Sequence, residues 1–538
     1  MKLDFKLINI DCTLRDGGYY NQWDFSQELI HAYLDAMEAA GVDFVELGFR
    51  SFDKNGFRGA CAYTTDDFIN SLTIPPNIKI GVMMNASELI NHPDGPLAAI
   101  KLQFVPAKES PVTLVRFACH VHEFEATLPM CAWLKQQGYL VGINLMQVAD
   151  RSETEIEHIG KVASHYDLDA LYFADSMGSL EPHQAAAIVK ILKRHWQGAM
   201  GIHTHDNMGR AMANTLSAIN EGVTWVDSTV TGMGRGPGNV QTEYVLIELA
   251  NLRAKHINLS PLLELIRKHF KPMQDHYGWG ANPYYYLAGK YGIHPTYIQK
   301  MLSDSRFGEA EILSVIDHLK AVGGKKFSTE IMEAGRQVYG GEQTGSWAPE
   351  KIINGREVLI VAAGPSVGNH RRAIEQYIVK ASPFVIGLNT QKTIDENLID
   401  VRAACHPFRL LADCDQYPNL KQPLVVPSSR LPEVIKASME GVNQFDFGLS
   451  VEPARFEFHD TYAIAPTSLV VAYALAIATS GKAARVLMAG FDGFSADDPR
   501  TTEMEELLAN YQSAKGASPI LAVTPTRYKI PSTSIYAL

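Results

Sequence analysis

Short apolar runs alternate with amphipathic stretches through the first half of the chain. Runs that suit buried strands are Leu7–Asp11 (LINID), Phe44–Gly48 (FVELG), Lys79–Met83 (KIGVM), Leu114–Ala118 (LVRFA), Leu140–Leu145 (LVGINL), Ala170–Ala174 (ALYFA), Met200–His205 (MGIHTH) and Trp225–Thr229 (WVDST). Segments with helical spacing, such as Gln27–Ala40 and Asn207–Glu221, lie between them. Eight strand–helix units in about 250 residues predict an α/β fold of the TIM (β/α)8 barrel type over residues 1–250, with a doubly wound open sheet as the alternative. From Leu252 to about Leu319 the strand pattern stops, and the aromatic-dense text HYGWGANPYYYLAGKYG predicts a helical annex, residues 251–339. Gly340, Gly341, Gly345, Ser346 and Pro349 mark a linker, residues 340–355. A second alternating block begins REVLIVAAGPSVGNHRRAIEQYI and predicts a Rossmann-like α/β domain over residues 356–538.

Composition narrows the class. The chain has 538 residues, with 48 Lys and Arg against 59 Asp and Glu, a net charge of −11. No Lys/Arg block stands out, so neither nucleic acid nor an anionic membrane is expected as a partner. A hydrophobic share of 46% supports sizeable cores and argues against disorder. Charges interrupt the apolar runs of MKLDFKLINIDCTLRDGG, so no signal peptide is expected. The longest apolar run, Ser468–Thr479, is about half a membrane span and reads as a buried helix. Six cysteines without CxxC spacing argue against disulfides and structural zinc. A cytoplasmic, homo-oligomeric protein is expected.

Three motifs carry chemistry. In His203-Thr204-His205, strand alternation sends both imidazoles to one face and Thr204 to the other. Such a pair can hold a divalent metal, or can be two ordinary histidines. In DCTLRDGG, Asp16 can complete a metal site and Arg15 can neutralise charge developing on a bound oxygen. In GMGRGPGN, four glycines after the eighth strand let the backbone approach a ligand, and Asn239 offers a carbonyl oxygen. Oxygen and imidazole ligands without thiolate favour Mn2+ or Mg2+ over Zn2+.

Together, DCTLRDGG, GIHTHDNMGRAMANTLSAINEG and VDSTVTGMGRGPGNVQTE resemble the DRE-TIM metallolyase superfamily over roughly residues 8–243. That group contains hydroxymethylglutaryl-CoA lyase, isopropylmalate and homocitrate synthases, and 4-hydroxy-2-oxovalerate aldolase. The resemblance implies Asp16, His203 and His205 as metal ligands, with Asn239 beside them, and Arg15 as the enolate-stabilising arginine. The Asp175-Ser176 pair in LYFADSMG and the VRFACH stretch are more similar to the aldolase branch, which implies Glu46, Arg116, Asp175 and Ser176 at the substrate, and His120 and Tyr277 near the chemistry. One departure stands out. Where that branch has a base histidine, this chain has Tyr19, a poor base at neutral pH but a plausible proton donor. The base therefore stays open among Tyr19, His120, His122 and a metal-bound water.

In the second domain, Gly364-Pro365-Ser366 between a strand and a helix can cradle a phosphate, and Asp492 follows a later strand. The GPS…TSLVVAYALA…VLMAGFDG pattern is loosely similar to bacterial sialyltransferase-like and pterin-pyrophosphokinase-like domains of surface-polysaccharide loci. That similarity implies a nucleotide or nucleotide-sugar partner, with His406 and His459 as catalytic or structural histidines. The expected function is a divalent-metal aldolase joining or splitting pyruvate and an aldehyde, in surface-sugar metabolism. The alternatives are an acyl-CoA-dependent Claisen condensation, or a nucleotide-binding protein with a degenerate barrel.

Overall fold

Eight parallel strands close on themselves in sequence order: β1 (Ile8–Asp11), β2 (Phe44–Phe49), β3 (Lys79–Asn85), β4 (Val112–His120), β5 (Leu140–Met146), β6 (Ala170–Asp175), β7 (Met200–Thr204) and β8 (Trp225–Ser228). β8 returns to β1 with Ile8 beside Trp225 and Asp11 beside Ser228, so the sheet has no edge. All eight expected strands are present, and the closed barrel replaces the open-sheet alternative. The computed structural model describes residues 7–54, 56–253, 257–302, 309–322, 344–431, 433–452, 454–494 and 498–538.

Period-2 alternation divides each barrel strand between two environments. Val45, Leu47, Val115, Phe117, Ile143, Phe173 and Ile202 join the large apolar shell under the helices. Their neighbours Phe44, Leu114, Ala170, Tyr172 and Trp225 form a separate cluster inside the barrel with Ile10 and Cys12. Small residues on alternate strands make room for large ones. A Cβ at Gly201 would lie 2.3 Å from the Tyr172 ring, and one at Gly142 would lie 3.3 Å from Arg116 Cγ.

The chain divides into two compact units, Met1–Phe307 and Gly308–Leu538. In the first, the helices Ser260–Leu265, Lys271–Tyr277, Pro283–Tyr291 and Pro295–Leu302 follow the barrel. Trp279 is buried and donates from its indole N–H to the Thr231 carbonyl at 3.0 Å. The helix Glu309–Val322 falls in the second unit, where it packs on the helix Pro407–Ala412. The first residues of the expected linker, 340–343, and the end of the expected annex, 323–339, lie outside the described residues. Residues 344–355 are part of the second unit: Trp347 donates its backbone N–H to the Asp446 carbonyl and stacks on Phe445.

The second unit is built on a seven-stranded parallel sheet. Its strands are β9 (Glu357–Val361), β10 (Phe384–Leu388), β11 (Val401–Ala403), β12 (Leu424–Val426), β13 (Gln444–Asp446), β17 (Arg485–Ala489) and β18 (Ile520–Ala522). Between β13 and β17 the chain adds a small sheet of β14 (Gly448–Val451), β15 (Glu457–Phe458) and β16 (Tyr462–Ala465). The large sheet runs β13-β12-β11-β10-β9-β17-β18. Val358 and Ile360 enter one apolar cluster and Leu359 and Val361 another, so both faces are covered. An all-parallel α/β sheet is therefore what stands where a Rossmann-like domain was expected. The apolar run of the sequence forms the helix Val470–Ser480, buried from Val471 onward. Among the described residues no helix is long and apolar enough to cross a membrane, and all six cysteines are free and buried.

Candidate active site at the barrel's carboxyl end

Alternation along the even strands places Glu46, Arg116, Tyr172 and Asp227 in the barrel interior, the arrangement of a four-residue barrel layer. Arg116 is fully buried. It donates from Nε and Nη2 to the two Glu46 oxygens at 2.8 Å, from Nη1 to both Asp227 oxygens at 2.9 Å, and from Nη2 to Cys12 Sγ at 3.3 Å. The Tyr172 ring covers its guanidinium at 4.6 Å. Burial by itself raises the Asp227 carboxyl, but Arg116 and His203 outweigh it and hold the group below the usual carboxylate range.

Above this layer sit the residues of the first two motifs. Arg15 and Asp16 lie in the helix Thr13–Asn21, which begins as soon as β1 ends. Arg15 Nε donates to Glu46 Oε2 at 2.8 Å and its Nη1 donates to Asp16. Its Nη2 is buried without a protein partner. His203 Nδ1 is 2.9 Å from Asp227 Oδ2, and its Nε2 is 3.4 Å from Asp16 Oδ2. Thr204 turns the other way and meets Thr215 Oγ1 at 3.1 Å on the following helix. The His203 and His205 rings lie 5.2 Å apart on the same side, as strand alternation requires. Asn239 donates to Asp16 Oδ2 at 2.6 Å, leaving its own Oδ1 buried and unpartnered. His205 Nδ1 is also buried without a partner. Burial first, then the nearby His203, Arg235, Arg15 and His294, keep the His205 imidazole well below its ordinary pKa and hence neutral.

These donors fit a divalent cation. His203 stands next to each of the other two expected ligands, with Nε2 3.4 Å from Asp16 Oδ2 and its ring 5.2 Å from that of His205, and His205 Nδ1 and Asn239 Oδ1 are polar atoms left orphaned by the protein alone. Asp16, His203 and His205 do not all come within 4.8 Å of one another; among the described residues the trio whose ligand atoms do is Cys12, His203 and Asp227. That trio is the poorer set. Both Asp227 oxygens are already held by Arg116, and burial, followed by Asp227 and Glu46, pushes the Cys12 thiol well up, against the thiolate a metal needs.

The glycine loop folds onto itself rather than simply opening to a ligand. Gly238 has φ +83°, and a Cβ there would lie 1.9 Å from the Gly232 carbonyl oxygen. The Asp206 N–H donates to the Gly238 carbonyl and His205 forms an antiparallel bridge with Asn239, which carries Asn239 to Asp16. Arg235, on the same loop, has a buried Nε with no protein partner, and its guanidinium lies 5.9 Å from the Tyr19 ring.

Other expected residues are more scattered. Tyr19 is 43% exposed, with Trp23 edge-on at 4.9 Å. Tyr277 packs on Tyr20 at 5.4 Å, and the Tyr20 hydroxyl donates to the Gly236 carbonyl at 2.9 Å. His120 ends β4, where its ring stacks on His122, and burial lowers its pKa. Glu46 and Arg116 lie in the layer beneath Arg15, their charges spent on one another and on Asp227. Asp175 accepts from the N–H groups of Ser179 at 2.9 Å and Leu180 at 3.2 Å, and Ser176 Oγ accepts from Gln147 N–H at 3.0 Å. Both side chains thus hold loops in shape. Asp227 and Arg235 escaped the sequence reading. The WVDST strand and its inward parity could have found Asp227; Arg235 gave no signal.

Glu243 titrates near neutrality. It accepts from Thr231 N–H at 3.0 Å, and burial raises it from the usual 4.5 to about 7. The unfolded chain loses this proton near 4.5 and the folded one near 7. Stability contributed by the protonated form is therefore present below about 4.5 and is lost as pH rises to 7. Glu243→Gln keeps the acceptor, so its stability should match the parent at pH 4.5 and exceed it at pH 8, by at most about 3 kcal/mol. Thermal midpoints at the two pH values check this; equal differences at both would remove the titration from Glu243.

At the second unit's expected phosphate cradle, the protein supplies its own anion. Ser366 N–H donates to Asp492 Oδ2 at 3.3 Å, and a Cβ at Gly364 would lie 1.9 Å from that oxygen. The helix that opens there, Pro365–Asn369, is a single short turn and a half. The carboxylate of Asp492 thus occupies the position that Gly364, Pro365 and Ser366 were expected to offer a nucleotide phosphate. His406 begins the helix Pro407–Ala412, while His459 stacks on Tyr462 at 4.2 Å.

Comparison with known proteins follows the barrel. The chain is 28% identical to a Carboxydothermus hydrogenoformans protein named 4-hydroxy-2-oxovalerate aldolase over 332 residues, 60% of this chain and 94% of the relative. It is 22% identical to a Mycobacterium tuberculosis protein named oxaloacetate decarboxylase, covering 57% of this chain and 89% of that one. The crystal structure of the N-terminal domain of a candidate aldolase from Bacteroides vulgatus is 27% identical, with a TM-score of 0.50 over 56% of this chain and 98% of that domain. Residues 115–267, within the barrel and the helices after it, match the HMGL-like family model.

Proposed function

We propose that the barrel is a divalent-metal-dependent carbon–carbon lyase acting on a 2-oxo acid, an aldolase that splits off or adds pyruvate at an aldehyde. The observation that carries this reading is the placing of His203 beside both Asp16 and His205, together with the unpartnered Nη2 of Arg15. The 4-hydroxy-2-oxovalerate aldolases among the relatives support it. Asp16, His203 and His205 hold the ion, with Mn2+ or Mg2+ suited to the oxygen and imidazole donors. A cation bound there supplies Lewis-acid polarisation of the 2-oxo group.

The chain's own groups do the rest. Asp227 accepts a hydrogen bond from the Nδ1–H of His203 and so turns Nε2 toward Asp16. Asn239 orients the Asp16 carboxylate. Glu46 fixes Arg15 so that Nη2 is left to donate to the oxygen on which enolate charge develops. Cleavage in the aldol sense also needs a group to take the alcohol proton; His120, kept neutral by burial, is the candidate on the rim, whereas burial raises the Tyr19 hydroxyl and suits it to donate.

Decarboxylation of a 2-oxo diacid is the second reading. The relative named oxaloacetate decarboxylase favours it, and so does Arg235, whose unpartnered Nε suits a second carboxylate. Loss of CO2 leaves the same enolate and needs no base for an alcohol, which accords with Tyr19 in place of a histidine. The test is to supply the full chain with Mn2+ and either a 4-hydroxy-2-oxo acid or oxaloacetate, and to measure pyruvate with aldehyde or pyruvate with CO2. Pyruvate from neither substrate, with and without chelator, rejects both readings. Arg235→Gln is expected to raise KM for the diacid about tenfold or more, and to leave KM for a 2-oxo acid without a second charge within about twofold.

A further inference from the structure

In the second unit, Arg402 of β11 is 1% exposed, yet its hydrogen-bond acceptors are all neutral. Nε donates to Gln422 Oε1 at 3.1 Å, and Nη1 donates to the carbonyls of Gln391 at 2.6 Å and Asn389 at 3.4 Å. Nη2 has no partner among the described residues. The two arginines of the barrel interior show the contrast: Arg15 and Arg116 are each matched by carboxylates. A guanidinium does not lose its proton in a protein, and the carboxylate that acts on this one, Glu396, does so through space without a hydrogen bond.

Arg402 lines a cavity of about 340 Å3, within the size range of small-molecule sites. Lys392 lines it too; its ammonium donates to Gln416 Oε1 at 2.7 Å and has no carboxylate partner among the described residues. Of the cavity's acids, Glu396 is taken up by Lys421 at 2.9 Å and Asp415 is exposed. The lining thus holds two cations and two carboxylates, with Arg402 and Lys392 hydrogen-bonded to neutral acceptors only, and the amides of Gln416 and Asn419 in the wall.

We propose that this cavity binds a small polar molecule through an oxyanion, a phosphate or a carboxylate, gripped by the fork of Arg402 and the ammonium of Lys392. A planar guanidinium with a free N–H edge is suited to such a group. The site is separate from the Asp492-capped turn and does not depend on the barrel's reaction.

Calorimetric titration of the full chain at low salt, with inorganic phosphate, glucose 6-phosphate and glucuronate in separate runs, tests it. Saturable binding of at least one is expected. Binding of the two phosphates identifies a phosphate site, and binding of glucuronate alone a carboxylate site. Lys392→Ala, at an exposed position, should leave the thermal midpoint unchanged and weaken binding about tenfold or more. Arg402→Lys keeps the charge but not the fork, and should weaken binding at least as much. No saturable binding of any of the three overturns the proposal, as does affinity that survives Lys392→Ala unchanged.

Discussion

His203→Ala is expected to lower metal-dependent turnover by about 10^3-fold or more while the barrel stays folded. The size follows from losing a ligand that holds a Lewis acid contributing several kcal/mol to the transition state. The fold survives because Asp227, on losing His203, keeps both of its bonds to Arg116. Asp16→Ala should behave alike, since Arg15 remains paired with Glu46. Asp227→Asn should act more mildly, because it changes only the group behind the imidazole; a 10- to 100-fold loss of metal affinity is the usual scale. Metal content after dialysis against Mn2+ provides a readout independent of turnover, and circular dichroism reports the fold. A His203→Ala protein that still retains stoichiometric Mn2+ and full activity would falsify the metal assignment.

The largest effect on stability is expected from Arg116→Met. Its removal strands Glu46 and Asp227 in the barrel interior, where both are almost wholly inaccessible to water. Breaking a buried ion network by deleting one partner typically costs about 3–5 kcal/mol, because charges remain that nothing compensates. Arg15 and His203 soften the loss, since each retains a bond to one of the stranded carboxylates. Chemical denaturation of the parent and variant measures it. Adding Glu46→Gln and Asp227→Asn to Arg116→Met should restore part of the stability by removing the stranded charge. If the single variant is as stable as the parent, Arg116 is not the keystone of the layer and a role at the substrate returns to consideration.

Much of the barrel was legible in the chain because a parallel strand buried on both faces writes a continuous apolar run, and the turns after it write glycine and polar residues. His203 and His205 were legible for the same reason: residues two apart on a strand share a face whatever the rest of the fold does. Asp16 and Arg15 could be named as chemistry, but their partners could not. Arg116 looked like a substrate residue from its place on β4. Only closure of the barrel shows that β2, β4 and β8 bring Glu46, Arg116 and Asp227 to one level, where their charges satisfy one another.

The glycine loop and the second unit mark the same boundary. Four glycines announce a backbone that must come close to something, and local sequence does not say to what; here it is the loop's own carbonyl at Gly232 and the end of β7. Gly364-Pro365-Ser366 announces a turn before a helix, but the oxygen that meets it comes from Asp492, more than a hundred residues further on. By itself the sequence determined periodicity, and with it the eight strands, the faces of His203 and His205, and the stock of carboxylate, imidazole and guanidinium groups. The tertiary structure decided which charges neutralise each other and which, like the free edges of Arg15, Arg235 and Arg402, are left over. The physical reason is that alternation along a strand is set by neighbours in the chain, whereas electrostatic balance is set by neighbours in space.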